Sequence, residues 1–305
     1  MRRLTVGFDT SNYTTSCAIF DGKTGESVCR LLDVRPGELG LRQSEALFSH
    51  VRRMPDIVRQ VTAEGEIVAV GASSAPRETE DSYMPCFLAG VCCAEVLAKF
   101  LEVPCFRFSH QQGHIAAAAW SAGRLDLMDS PHLAWHLSGG TTELLYVRPE
   151  GTAVRCEIVG CTQDVSAGQI VDRTGQLLGL DFPAGKALDR LSRNAVKKEF
   201  WTPRFSGMEF SLSGVEHKTS QMAQAGAAPE ETAYFALASV FAAVAKATKN
   251  AKEKFGDLPV LYSGGVASNT ILREMTPEGI FAEPRFSTDN GMGCAILTWR
   301  AFHAG

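Results

Sequence analysis

Two distant stretches of the chain repeat one pattern, and this repeat constrains the fold more than any other feature. Residues Thr5-Val6-Gly7-Phe8-Asp9-Thr10-Ser11-Asn12-Tyr13-Thr14-Thr15-Ser16-Cys17-Ala18-Ile19-Phe20 read as a strand, a tight polar turn and a second strand. Residues His132 to Val147 read the same way, and Thr14-Thr15 falls opposite Thr141-Thr142 when the two are superposed. Amphipathic helices follow each hairpin. In the first half they cover about 44–61, with Leu47, Val51, Met54, Ile57, Val58 and Val61 as the apolar face, and about 86–101. In the second half a helix over about 231–255 precedes an apolar strand at 258–262. Two related α/β halves with facing polar turns imply a cleft between them. The boundary is placed in the Pro104–Ser109 stretch, giving an N-terminal lobe over 1–106 and a C-terminal lobe over 107–305 that carries the metal and nucleotide loops. Each lobe is expected to hold a mixed five-stranded sheet, and a helix is expected from Asn290 to Phe302.

Gly- and Thr-rich turns present successive backbone N–H groups to anions, and glycine admits a ligand without a Cβ clash. Leu137-Ser138-Gly139-Gly140-Thr141-Thr142 is one such turn. Ser263-Gly264-Gly265-Val266-Ala267-Ser268-Asn269 is another, following a strand and preceding a helix, and together they point to a nucleotide site. The motifs G-x-x-x-x-G-K-[ST], G-x-G-x-x-G, G-x-S-x-G and H-E-x-x-H are absent, which takes the main support from the P-loop, Rossmann, serine-hydrolase and zincin readings. His110 and His114, four apart in an Ala-rich helical stretch, project from one face and suit two ligands of one ion. Taken alone, such a pair reads more readily as packed or surface histidines, and the Gly-rich loops elsewhere shift the weight toward a site.

At 305 residues and 45% hydrophobic, the chain can bury one large core or two ordinary ones. No apolar run is long enough to span a bilayer, and the N-terminus enters a strand pattern at once, so neither a membrane span nor a signal peptide is expected. Nine cysteines without a Cys-x-x-Cys pair fit neither a disulfide framework nor a zinc ribbon, and a reducing, cytoplasmic setting is expected. The net charge of −4 gives no global nucleic-acid footprint. One segment departs from it: Lys186, Arg190, Arg193, Lys197, Lys198 and Arg204 against Asp189 and Glu199 leave +4, with Phe200 and Trp201 interleaved. It reads as a solvated face or as a dock for an anion or RNA backbone.

The ordered set of motifs resembles the tRNA threonylcarbamoyladenosine transferases, the TsaD/Gcp group formerly labelled O-sialoglycoprotein endopeptidases. The family's H-x-x-x-H matches His110 and His114, and its S-T-D-N aspartate matches Asp289. Its L-V-S-G-G turn matches Trp135-His136-Leu137-Ser138-Gly139, running on to Gly140. A-G-E-A-F-D appears as Ala167-Gly168-Gln169-Ile170-Val171-Asp172, and L-G-L-x-Y-P-G-G as Leu178 to Gly185, followed by Asp189. F-S-F-S-G-L-K appears as Phe210 to Glu216, and G-G-V-A-x-N as Gly264 to Asn269. The resemblance implies the α/β fold shared by actin, Hsp70 chaperones and sugar kinases, with two lobes built on duplicated RNase H-like domains. It implies one divalent ion, iron or zinc, on His110, His114 and Asp289. An adenine nucleotide would be bound through Leu137, Ser138, Gly139, Gly140, Thr141, Asp172, Gly185, Asp189 and Asn269. The implied partners are tRNA and helper proteins. Read without the family, Asp172 or Asp189 is equally a helix-surface charge and Asn269 a helix N-cap.

The first hairpin departs from the family. G-I-E-T-S-C-D-E-T becomes Gly7-Phe8-Asp9-Thr10-Ser11-Asn12-Tyr13-Thr14-Thr15: Asp9 keeps one acid and is the catalytic candidate there, while Tyr13 and Thr14 replace the acidic pair. The G-P-G-L loop is replaced by Ser74 to Asp81, Gln169 stands where the family has Glu, and Thr141 where it often has His. The readings are a threonylcarbamoyl (acyl) transferase acting on N6 of a tRNA adenosine, a metal- and nucleotide-binding paralogue with weak or different activity, and a phosphotransferase of the same superfold. No base or sugar-site motif supports the last.

Overall fold

In a computed structural model of the chain, which describes residues 1–11, 13–33, 41–79, 82–287 and 291–305, both repeated hairpins open a five-stranded sheet. In the first, β1 (Arg3–Asp9) pairs antiparallel with β2 (Thr14–Phe20), and β2 with β3 (Gly25–Leu31). Helix α1 (Gln43–Val58) leads to β4 (Glu66–Ala75), and α2 (Leu88–Leu101) to β5 (Cys105–Ser109). β4 joins the free edge of β1, and β5 joins β4, both in parallel. Helices fill these connections because parallel neighbours cannot be joined by a tight hairpin. α3 (His110–Ser121) continues directly from β5.

The second sheet repeats the plan. β6 (His132–Leu137) pairs antiparallel with β7 (Thr142–Glu150), and β8 (Ala153–Cys161) lies beyond it. Then come α4 (Ala167–Leu177), α5 (Gly185–Ser192), the two-residue strands β9 (Phe205–Ser206) and β10 (Glu209–Phe210), α6 (Ser213–Gln224) and α7 (Pro229–Phe255). β11 (Val260–Ser263) joins β6 in parallel, α8 (Thr270–Met275) follows, and β12 (Ile280–Phe281) joins β11 in parallel. The orders β3-β2-β1-β4-β5 and β8-β7-β6-β11-β12 therefore correspond strand for strand. The turns correspond too. Thr14 N–H donates to the Ser11 carbonyl at 3.0 Å, and Ser138 N–H to the Thr141 carbonyl at 2.9 Å. Ser11 and Thr14 are thus paired with the same spacing as Ser138 and Thr141, so Thr14-Thr15 does match Thr141-Thr142, and Asp9 occupies the position of His136.

Packing divides the chain into one unit of Met1–Ser130, Arg148–Cys156 and Arg285–Gly305, and another of Pro131–Val147 and Glu157–Pro284. The boundary expected at 106/107 is thus misplaced. α3 and its two histidines belong with the first sheet, and so does the C-terminal helix α9 (Met292–Ala304). The reason is backbone contact remote in sequence. A Cβ on Gly7 would lie 2.2 Å from the Ala295 nitrogen, one on Gly71 2.0 Å from Thr298 Oγ1, and one on Gly293 1.9 Å from the Gly113 carbonyl oxygen. Glycines on β1, β4 and α9 thus let the helix lie directly on its neighbours, and Thr5 Oγ1 donates to the Ala295 carbonyl at 2.8 Å. α9 is the C-terminal helix expected from the sequence.

The expected helices are present with shifted ends, but α1 turns a different stripe inward. Its buried residues are Ala46, His50, Met54 and Ile57, while Val51 and Val58 are exposed. His50 reaches Thr15 Oγ1 through Nδ1 at 2.8 Å, a polar contact that hydrophobic periodicity does not see. In the second unit the Ala-rich face of α7 admits the close approach of its neighbours, and the fully buried Trp135 donates its indole N–H to Thr248 Oγ1 of α7 at 2.8 Å. Ahead of α4, Asp164 accepts hydrogen bonds from the Val165 and Leu212 N–H groups at 2.7 and 2.8 Å and from the Ser211 hydroxyl. Burial alone would raise its pKa. The hydrogen bonds outweigh it and hold the carboxyl well below the usual range.

Two outcomes follow. Gly7→Val should destabilise the first unit by about 3 kcal/mol or more, because the clashing atoms are backbone and cannot turn aside; urea unfolding measures it. Asp164, with its folded pKa lowered, contributes stability that is complete above the unfolded carboxylate value of about 3.9 and is lost as pH falls below it. Melting temperatures between pH 7 and 3 should therefore drop more steeply for the natural chain than for Asp164→Asn.

Candidate functional site

In the first unit, β1 ends at Asp9, which is 3% exposed. One carboxylate oxygen accepts the Ser73 hydroxyl from β4 at 2.6 Å and the Ser11 N–H at 3.0 Å. The other meets Nδ1 of His110 at 2.8 Å. His110 is the first residue of α3, where Ser109 and Gln112 form a reciprocal cap that fixes the start of the helix. A carboxylate on Nδ1 makes that nitrogen the donor and puts the ring lone pair on Nε2. One turn on, the His114 ring lies edge-on to that of His110, with centroids 4.2 Å apart. Cys294 of α9 lies in the same cluster, fully buried. Burial first, then the charge of Asp9, pushes its thiol well above the ordinary range, which makes it a packing group rather than a nucleophile.

The second unit carries a closed circuit of contacts through the other expected residues. Ser138 and Thr141 pair across the turn, where Thr141 N–H also donates to Ser138 Oγ at 3.1 Å. No heavy atom lies within 4 Å of where a Cβ would stand on Gly139 or Gly140, so both turn residues are open to an approaching ligand. The Ser166 hydroxyl donates to the Gly139 carbonyl at 2.6 Å, and a Cβ on Gly168 would lie 2.4 Å from the Ser138 carbonyl oxygen. The N-terminus of α4 is thereby seated on the turn. Asp172 of α4 accepts the Ala184 N–H at 3.0 Å, immediately before Gly185 opens α5. Asp189 of α5 accepts the Thr270 hydroxyl at 2.6 Å and Arg193 at 3.1 Å. Asn269 caps α8 by accepting the Ile271 N–H at 2.9 Å. The circuit closes at Gly264, whose φ of +96° and contact with the Leu137 carbonyl (2.0 Å from a would-be Cβ) both require glycine.

The structure thus brings Leu137, Ser138, Gly139, Gly140, Thr141, Asp172, Gly185, Asp189 and Asn269 into one connected framework, and Asp9, His110 and His114 into another. Asp289 lies outside the described residues. Among the described residues, no group of three His, Cys, Asp or Glu side chains is arranged to hold a metal ion. Several roles sharpen. Asn269 is a helix cap, both Asp189 oxygens are engaged by protein donors, and Gly185 has only Val171 Cγ1 near its would-be Cβ, at 3.8 Å. Gln169 completes a capping box with Ser166, whose N–H donates to the Gln169 side chain at 3.0 Å. Glutamine serves there as glutamate would, so this departure is structurally neutral. Tyr13 is half-buried, and Thr14 is 5% exposed. Ser73, Ser166 and Thr270 organise the two frameworks and were not singled out in the sequence. The Ser-x-x-Gln spacing at Ser109 and Ser166 was a readable signal for the caps, whereas nothing local marked Ser73.

No helix among the described residues is long and apolar enough to cross a membrane. Solved structures share the fold at low identity. The (R)-2-hydroxyglutaryl-CoA dehydratase component A of Acidaminococcus fermentans matches 98% of this chain and 99% of its own, with a TM-score of 0.58 and 13% identity. The activator of the 2-hydroxyisocaproyl-CoA dehydratase from Clostridium difficile, with bound ADPNP, matches 98% and 96%, with a TM-score of 0.53 and 15% identity. A ROK family glucokinase from Streptomyces griseus, in complex with glucose and AMPPNP, matches 97% and 99%, with a TM-score of 0.54 and 12% identity. The fold is therefore the duplicated α/β fold of actin, Hsp70 and the sugar kinases. Residues 83–296, which hold the histidine pair and the entire second-unit framework, match the family TsaD, tRNA N6-adenosine threonylcarbamoyltransferase, and the chain belongs to that family.

Proposed function

We propose that this protein transfers a threonylcarbamoyl group from threonylcarbamoyl-AMP to N6 of a tRNA adenosine. The observation that carries the reading is the closed second-unit circuit, in which an open Ser138–Thr141 turn is held by α4 and tied through Asp172 and Asp189 to the Asn269 cap. In this reading the adenine nucleotide lies on that framework. The Gly139 and Gly140 amides face phosphate or carboxylate oxygens, and Asp172, oriented by the Ala184 N–H, accepts from a ribose hydroxyl. The N6 amine attacks the carbamoyl carbon, a C–N bond forms, the C–O bond to phosphate breaks, and AMP leaves with the electron pair while the amine gives up a proton.

His110 and His114 suit a divalent ion, iron or zinc: their rings are adjacent, and a carboxylate on Nδ1 of His110 is the usual outer support of a ligating imidazole. With Asp289 as the third ligand implied by the family, the ion would supply Lewis acidity toward the acyl donor. Asp9 then acts through His110 rather than on the substrate. Buried and engaged by Ser11, Ser73 and His110, it is a positioning residue that fixes the imidazole's orientation and tautomer. Tyr13 and Thr14, in place of the family's acidic pair, favour a second reading, a metal- and nucleotide-binding paralogue with weak transfer or another acceptor.

Incubation of the purified protein with tRNA, threonylcarbamoyl-AMP and the helper proteins of the system, followed by mass spectrometry of the nucleosides, separates the two. Threonylcarbamoyladenosine is expected. Nucleotide binding without it would support the second reading, and neither would remove both. Tyr13→Asp should raise the yield, since the half-buried position tolerates a carboxylate; Thr14→Glu would bury one at a cost. Asp172→Asn should weaken adenine-nucleotide binding by about tenfold in calorimetry, the loss of one hydrogen bond to a charged acceptor. Asp9→Asn should lower metal affinity by roughly 10- to 100-fold and shift the ring nitrogen resonances of His110 while leaving the fold intact. Unchanged affinity and resonances would show that Asp9 is structural only.

A further inference from the structure

We propose that the exposed segment from Arg190 to Arg204 is a docking surface for the RNA backbone, with Phe200 offered to an unpaired base. The proposal rests on the reading of this protein as a tRNA-modifying enzyme and adds where the RNA is held. Lys186, Arg190, Arg193, Lys197, Lys198 and Arg204 are all exposed. Of the two acids among them, Asp189 is turned inward and engaged by Thr270 and Arg193, which leaves Glu199 as the only acid facing out. The segment carries +4 on a chain of net −4, so the remainder carries −8. A cationic surface on an otherwise acidic protein attracts a polyanion to one place.

The segment is also built to hold its shape without regular structure. Residues 195–204 form neither helix nor strand. Ala195 is 8% exposed, and the Trp201 N–H donates to Ser239 Oγ of α7 at 2.9 Å. The Trp201 ring lies against Gly214 of α6, where a Cβ would stand 2.8 Å from it, with Lys218 Nζ 5.2 Å over the ring centroid. Lys198 Nζ sits 5.9 Å over Tyr234. Between these anchors Val196 is 89% and Phe200 50% exposed. A surface that served only solubility has no need of a half-exposed aromatic between cations, whereas single-stranded RNA is bound by that combination, phosphates on cations and bases on aromatic faces. A membrane surface is met by an amphipathic helix, which this pinned irregular stretch is not.

The test measures binding of unmodified tRNA to the full chain by fluorescence anisotropy across a salt series. Lys197→Glu/Lys198→Glu should weaken binding by on the order of tenfold and make the log–log salt dependence shallower by roughly 1 to 2. Phe200→Ala should weaken it about fivefold or more with no change in slope. Arg52→Glu/Arg59→Glu, the same charge change in and just after α1, should leave affinity within about twofold, and calorimetric adenine-nucleotide binding should be unaffected in every variant. If the natural chain binds tRNA and modifies it while the Lys197/Lys198 variant binds equally well, the docking surface is wrong and the proposed reaction stands. If the natural chain binds no tRNA, the docking surface is wrong; if it also modifies none with the helper proteins present, both fall. Loss of binding to phosphatidylserine vesicles in that variant with tRNA binding intact would overturn the proposal in favour of a membrane surface.

Discussion

The first unit depends on backbone meeting backbone. α9 can lie on β1, β4 and α3 only because Gly7, Gly71 and Gly293 present no side chains at the crossings, with would-be Cβ atoms falling within 2.2 Å of their neighbours. Interiors packed at crystal density cannot absorb such overlaps. This contact fixes α3 against the sheet, and so fixes where His110 stands relative to Asp9 at the end of β1. A helix from the far end of the chain therefore sets a hydrogen bond between residues near its beginning and middle. The histidine pair inherits its geometry from that packing and from the Ser109 cap.

Asp9 and His136 occupy equivalent positions at the ends of corresponding strands, yet they have different surroundings. Asp9 is closed in by Ser11, Ser73 and His110, a set of donors that stabilises a buried charge that burial alone would penalise. In the second unit the equivalent turn is left open over Gly139 and Gly140, and its order comes instead from the capped helix α4 behind it. One duplicated hairpin thus serves as a rigid support for an imidazole in one copy and as an open array of amides in the other.

The departures from the family pattern weigh differently once their surroundings are known. Gln169 keeps the hydrogen bond that a glutamate would make in the capping box, so it alters charge and not architecture. Tyr13 and Thr14 differ in kind. They stand where the family has a carboxylate pair, and the near-complete burial of Thr14 leaves little solvent to stabilise a charge at its position. The chemistry that a carboxylate pair would perform there is what separates the two functional readings.

The duplication, the register of the two turns and the candidate loops were legible in the sequence because each is encoded locally: alternation marks strands, Gly and Thr mark turns, and motifs report residues whose backbone must be approached closely. The family itself was legible from the order of those motifs. The unit boundary was not, because α3 and α9 join the first sheet through glycine contacts between residues far apart in the chain, and a glycine looks the same in sequence whether it faces solvent or another backbone. The inward stripe of α1 was misread because His50, a polar residue, is buried by its bond to Thr15. Similarly, the sequence named Asp9, Asp189 and Asn269 as chemical groups, and only tertiary structure decided that Asp9 supports a histidine, Asp189 ties α5 to α8, and Asn269 caps a helix. Residue type fixes what a side chain can donate or accept; the partner it does so with is set by which distant segment the fold brings beside it.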